Sequence, residues 1–133
     1  MANAIYPSGK QGFLSDLDLT TATLKVVLVD TAAYTYSANH SNLSDIPAPA
    51  RVATSGALAS KTVTGGVFDA ADLTIPGFTG PTVEALVIYK DTGTASTSTL
   101  IAYIDTGGNL PYQPNTAQVD IAWDNTATKI LAL

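Results

Sequence analysis

The stretch that most limits what this chain can fold into is Val83–Asp105. Two runs, Val-Glu-Ala-Leu-Val-Ile-Tyr-Lys and Thr-Leu-Ile-Ala-Tyr-Ile-Asp, flank the polar bridge Asp91–Ser98, which holds no residue able to anchor a core. Runs of this length, rich in β-branched and aromatic residues, specify strands, and the bridge specifies a hairpin loop. In strict alternation, Leu86, Ile88, Ile101 and Tyr103 share one face, while Val87, Tyr89, Leu100, Ala102 and Ile104 share the other. Apolar residues on both faces predict a central strand pair, covered on both sides or covered on one and occluded on the other. Such a hairpin is a scaffold and carries no chemistry of its own.

The remaining chain repeats the theme. Leu24–Asp30 reads as a strand covered on both faces, and Ala50–Ser55 and Ala59–Thr64 as short alternating strands. Val67–Ile75 is extended with a kink around Asp69–Asp72. Ala117–Trp123 alternates, with Val119, Ile121 and Trp123 on the buried face. Thr128–Leu133 closes as a strand, after a break at Gly107-Gly108 and a turn at Asp124–Ala127. About eight strands and no helix of three turns predict an all-β, antiparallel β-sandwich, jelly-roll-like, with an immunoglobulin-like sandwich as the rival. A length of 133 residues suits a single domain over residues 1–133.

Two segments fit this scheme less readily. Residues 1–15 form a lead-in in which Gly9 and Gly12 oppose an isolated helix; it is an N-terminal arm, or a short helix laid over a sheet. Thr31–Pro49 is the longest irregular stretch, where Ser41 or Asn42 is placed to cap one helical turn that Pro47 ends.

Charge excludes some functions. Only 13% of residues are charged, about half the usual share. The net charge is −5, and the six basic residues, Lys10, Lys25, Arg51, Lys61, Lys90 and Lys129, are scattered. Nucleic acid is therefore not an expected partner, since phosphate neutralisation needs clustered cations. The absence of cysteine excludes disulfides and thiolate metal sites. No leader-like segment and no apolar run of membrane-spanning length is evident, so synthesis in the cytosol and no membrane association are expected.

A search for chemistry yields little. His40 is the sole histidine, and its sequence neighbours Ser41, Ser44 and Asp45 cannot make a relay of the usual geometry. Asp16/Asp18, Asp69/Asp72 and Asp120/Asp124 could donate oxygens to calcium, but none lies in an EF-hand loop, and turns attract Asp for backbone hydrogen bonding. Glu84 is the sole glutamate, against a paired-carboxylate glycosidase. Gly65-Gly66 and Gly107-Gly108 precede no helix and read as turns, not phosphate cradles. Tyr34, Tyr36, Tyr112 and Trp123 could line a sugar site, though Trp123 reads as core. No catalytic residue, metal ligand or cofactor is expected.

Several segments taken in order carry a resemblance: Leu24–Asp30, Tyr34-Thr-Tyr36, Leu43–Pro47, Ala50–Ser55, Lys61–Ala70, Glu84–Gly93, Leu100–Asp105 and Ile121–Asn125. Together they resemble a family of small virion proteins of tailed bacteriophages and prophages, and within it capsid decoration (cement) proteins with a jelly-roll-like sandwich. The similarity spans about residues 2–133. It implies a non-enzymatic protein, made in the bacterial host cytoplasm and located on the virion capsid surface. It also implies that the protein bridges subunits of the major capsid protein and self-associates, as a dimer ahead of a trimer.

Partner contacts are expected from Ala2–Phe13 and Tyr34–Ile46, the segments a compact sandwich needs least. The side chains concerned are Ile5, Tyr6, Phe13, Tyr34, Tyr36, His40, Leu43 and Ile46. The rival reading is a receptor- or glycan-binding module of a head or tail fibre, with a neck or tail component as a further virion role. The glycan reading requires a ring-lined pocket. A hydrolase would require His40 to converge with distant residues.

Overall fold

Strands β2 (Leu24–Val29), β7 (Ala85–Lys90) and β8 (Thr99–Ile104) form the centre of the fold because they are apolar on both faces and buried almost throughout. Each Val, Leu or Ile removed from water contributes about 1.5–3 kcal/mol, so a sheet apolar on both faces recruits a layer on each side. The computed structural model describes residues 4–15, 18–65, 67–105, 110–121, 123 and 130–132. With β1 (Ala4–Ile5) and β3 (Arg51–Thr54), these strands make a five-stranded antiparallel sheet in the order β1-β8-β7-β2-β3.

One face of this sheet packs against two small antiparallel sheets. The first holds β4 (Thr62–Thr64), β5 (Val67–Asp69) and β10 (Leu131–Ala132) in the order β10-β5-β4; the second pairs β6 (Leu73–Ile75) with β9 (Val119–Ile121). Leu24, Val26, Leu28, Leu86, Ile88 and Ile101 meet Phe68, Ile75, Val119 and Trp123 in this inner core. The Trp123 indole N–H donates to the Ala71 carbonyl at 3.1 Å, which satisfies its one polar group. The protein is thus an all-β sandwich. Ten strands are described where about eight were expected: Val67–Ile75 divides at its kink into β5 and β6, and the lead-in adds β1. The expected break at Gly107-Gly108 and turn at Asp124–Ala127 lie outside the described residues.

A β-bulge corrects the predicted faces of the central hairpin. Pairing runs Leu86 with Ile104, Val87 with Tyr103 and Ile88 with Ala102, then moves to Tyr89 with Leu100. Ile101 has no opposite residue, and one extra residue reverses the alternation beyond it. Ile101 and Ala102 therefore both join the inner core, with Ile104 packed against it, while Tyr103 turns to the face of Val87 and Tyr89.

Residues of the two segments expected to face partners cover that second face. Tyr6, Ile46 and Ala50 are fully buried there, and Tyr34 and Leu43 nearly so, against Val27, Val29, Ala85, Val87, Tyr89, Leu100 and Tyr103. The expectation that Tyr6, Tyr34, Leu43 and Ile46 are partner contacts is corrected accordingly. A sheet with Val27, Val29, Val87 and Tyr89 on its outer face needs apolar cover, and these four side chains supply it within the chain.

The lead-in is a short helix over a sheet rather than a free arm. After β1 pairs with Ala102 and Tyr103, α1 (Pro7–Ser15) lies along β8. The Tyr6 N–H donates to the Ile101 carbonyl (3.0 Å), and the Ser8 hydroxyl donates to the Leu100 carbonyl (2.9 Å). A Cβ on Gly9 would stand 2.9 Å from the Ile101 oxygen, so glycine, poor for an isolated helix, is what lets this helix reach the strand. Farther along the same edge, Leu100 N–H donates to the Ser41 carbonyl and Leu43 N–H to the Ser98 carbonyl, so the edge of β8 is covered rather than free. Among the described residues, no helix is long and apolar enough to cross a membrane.

Candidate functional site

The polar end of the central hairpin is where chemistry-bearing side chains meet. Glu84 immediately precedes β7 and Asp105 immediately follows β8, and antiparallel pairing brings both to the same end of the sheet. The stretch after β2 folds over that end, held by Glu84, whose carboxylate accepts the Thr31 N–H at 3.0 Å and the Thr31 hydroxyl at 3.2 Å. Thr31, Tyr34, Tyr36, Glu84, Tyr103 and Asp105, closed on one side by Leu110 and Pro111, line a cleft of about 350 Å³.

Its floor is aromatic. The Tyr36 ring lies 5.0 Å from that of Tyr6 and 5.3 Å from that of Tyr103, both in tilted contact. The Tyr6 hydroxyl is 2.8 Å from the Tyr34 hydroxyl, which is 2.9 Å from His40 Nδ1. Burial pushes the Tyr103 phenol above its ordinary range, with the nearby Asp105, Tyr34 and Glu84 adding to the shift. Burial raises Tyr34 as well, and Tyr6 most strongly, where hydrogen bonding to Tyr34 acts in the same direction. These phenols remain neutral hydrogen-bonding groups at physiological pH. The half-buried Tyr36 ring beside two carboxylates can stack on a sugar face while the carboxylates accept its hydroxyls, or can receive a cationic side chain.

The expected contact residues divide between roles. Tyr34 and Tyr36 reach the cleft, and His40 stands behind it, its ring 5.3 Å from that of Tyr34. Ile5 is half-buried in β1 at the sheet edge, and Phe13 is half-buried against the inner core. Tyr6, Leu43 and Ile46 hold the outer core. Leu43 opens a single 3₁₀ turn, Leu43–Asp45, preceded by Asn42 as expected. The Asp45 carboxylate accepts the N–H groups of Ser41 (2.8 Å) and Asn42 (3.1 Å), which hold it below the usual carboxylate range.

Glu84, Tyr103 and Asp105 did not emerge from the sequence. Glu84 reads as a strand residue, and Tyr103 was assigned to the opposite face because the bulge at Ile101 leaves no mark in the alternation. The carboxylates at the two outer ends of a predicted hairpin were the available signal, since pairing must bring them together.

Of the aspartates that could donate to calcium, Asp18, Asp72 and Asp120 serve local structure. Asp18 accepts from the N–H and hydroxyl of Thr20 (2.9 and 2.6 Å), Asp72 from the Trp123 N–H (3.0 Å) and Asp120 from the Thr74 hydroxyl (3.0 Å). Asp16 and Asp124 lie outside the described residues. Among the described residues, no three of His, Cys, Asp and Glu gather as metal ligands would.

A second surface stands apart from the cleft. All three residues of β4, at the edge of its sheet, are exposed, and Val63 retains 49% of its accessible surface.

No family model matches the chain. No curated protein is significantly similar to it.

Proposed function

We propose that the protein is a structural component of a tailed-bacteriophage virion that decorates the capsid and bridges subunits of the major capsid protein. The observation carrying this reading is that the segments resembling small phage virion proteins are those that build the fold. Leu24–Asp30, Ala50–Ser55 and Glu84–Gly93 contain β2, β3 and β7, and Leu100–Asp105 contains all of β8 but Thr99, while Tyr34-Thr-Tyr36 and Leu43–Pro47 lie in the layer over them. The resemblance therefore bears on the central sheet and on part of the layer over it. Sparse charge supports the same reading, because the surface of a chain with only 13% charged residues is desolvated cheaply against many neighbours. Many weak, identical contacts reinforce a shell collectively. With Tyr6, Tyr34, Leu43 and Ile46 committed to the core, capsid contacts fall to exposed residues. Co-sedimentation of the purified protein with undecorated capsids of its own phage tests the reading: saturable binding supports it, and no binding overturns it.

The aromatic cleft favours a second reading, a glycan- or receptor-binding module of a head or tail fibre. The half-buried Tyr36 provides ring surface, and Glu84 and Asp105 provide acceptors for sugar hydroxyls. Binding on a glycan array, abolished by Tyr36→Ala with unchanged melting of the fold, would move the assignment there.

A further inference from the structure

We infer that the edge of β4, which no described strand pairs, is a self-association surface, where Val63 pairs with Val63 of a second copy so that the two β4 strands run antiparallel across a two-fold axis. Val63 lies opposite Phe68 in the β4–β5 ladder. The Phe68 carbonyl accepts the Ile130 N–H at 3.2 Å, on the side where β10 pairs, so the Phe68 backbone is turned away from β4. In an antiparallel ladder, residues opposite one another share this orientation: Val63 and Phe68 form a non-hydrogen-bonded pair, and the Val63 N–H and C=O point out of the sheet. The same residue carries the exposed apolar side chain.

Edges of this kind are ordinarily guarded by a charge, a bulge or a covering segment. The edge of β8 is covered by α1 and residues 41–43, as described above. The β4 edge reads Lys61-Thr-Val-Thr-Gly65, and its only charge is turned inward, with Lys61 Nζ donating to the Ala22 carbonyl.

A second copy is the occupant this edge fits. Pairing about Val63 sets Thr62 opposite Thr64 and Lys61 opposite Gly65 of the other molecule. Threonine then faces threonine, a favourable cross-strand pair, and no like charges oppose each other. The contact is isologous and closes at two copies. The edge offers no charge or aromatic ring by which an unlike strand would be selected. Two molecules of net charge −5 repel at long range, so salt strengthens the pairing. This specifies a surface for the self-association expected of the virion protein, yet it is tested on the isolated chain without capsids.

The test is sedimentation equilibrium of the full chain over a concentration series at two salt concentrations, with Val63→Lys and Val63→Cys alongside. The wild type should show a monomer–dimer equilibrium favoured by salt. Val63→Lys should weaken it at least ten-fold with unchanged thermal melting. Because the natural chain has no cysteine, oxidised Val63→Cys should yield a disulfide-linked dimer, whereas Thr62→Cys, displaced along the strand from its own copy, should not. A wild type monomeric throughout, or a dimer indifferent to Val63→Lys, overturns the inference.

Discussion

The hydroxyl of Tyr6 lies 2.8 Å from that of Tyr34, joining the residue before the first helix to the long stretch after β2. Both side chains are sealed over the outer face of the central sheet, Tyr6 completely. Tyr34 has a second partner in His40, while Tyr6 depends on Tyr34. The two variants should therefore differ. Tyr6→Phe forfeits one hydrogen bond, about 1 kcal/mol, whereas Tyr34→Phe strands a buried Tyr6 hydroxyl at a cost of about 1–3 kcal/mol. Urea unfolding of both variants checks the order.

Ile46 sits at the centre of the same layer and is fully buried. Ile46→Ala should destabilise the isolated protein by about 2–5 kcal/mol, through lost burial and the cavity left behind. A residue held in reserve for a partner would instead leave isolated stability unchanged. Denaturant midpoints distinguish the two.

Gly9 decides how closely α1 approaches β8. Alanine is better than glycine in a helix by about 1 kcal/mol, which alone would make Gly9→Ala stabilising. Its Cβ would meet the Ile101 carbonyl at 2.9 Å, a backbone atom that cannot turn aside. Gly9→Ala should therefore destabilise by about 1–3 kcal/mol, as overpacking does. Gly56→Ala, with nothing within 4 Å of the new Cβ, should be near neutral.

The alkaline limit of stability follows from the tyrosines. Burial raises Tyr6, Tyr34, Tyr89 and Tyr103 above their ordinary range, with Asp91 adding to the shift at Tyr89 and Asp105 at Tyr103. Once the medium passes the unfolded value of about 10, the unfolded chain releases these protons and the folded chain retains them. Stability contributed by the neutral phenols is thus complete below that pH and falls as pH rises above it. In a titration followed by phenolate absorbance, these four groups should ionise together with the loss of secondary structure. Separate, earlier ionisation would contradict their burial.

β2, β7 and β8 were legible because β-branched runs apolar on both faces have few other solutions, and the division of Val67–Ile75 was legible in Asp69–Asp72. The bulge was not: Leu100-Ile-Ala-Tyr-Ile104 alternates no differently with or without an extra residue, so Tyr103 was assigned to the wrong face. Nor was the outer layer, because Tyr6, Tyr34, Leu43 and Ile46 are isolated apolar residues in polar stretches, and only the long-range fold brings them together. The cleft was half legible. Tyr34 and Tyr36 stood out as aromatics in a loop, whereas Glu84 and Asp105 become neighbours only once the hairpin closes.

Capsid decoration is tested most directly by the melting temperature of undecorated capsids, measured by calorimetry with and without saturating protein. A cement protein binds the assembled shell in preference to its dissociated subunits, so linkage requires the shell transition to rise with protein concentration. The account predicts that rise, saturating when the capsid sites are filled. A shell transition unmoved by excess folded protein would contradict it.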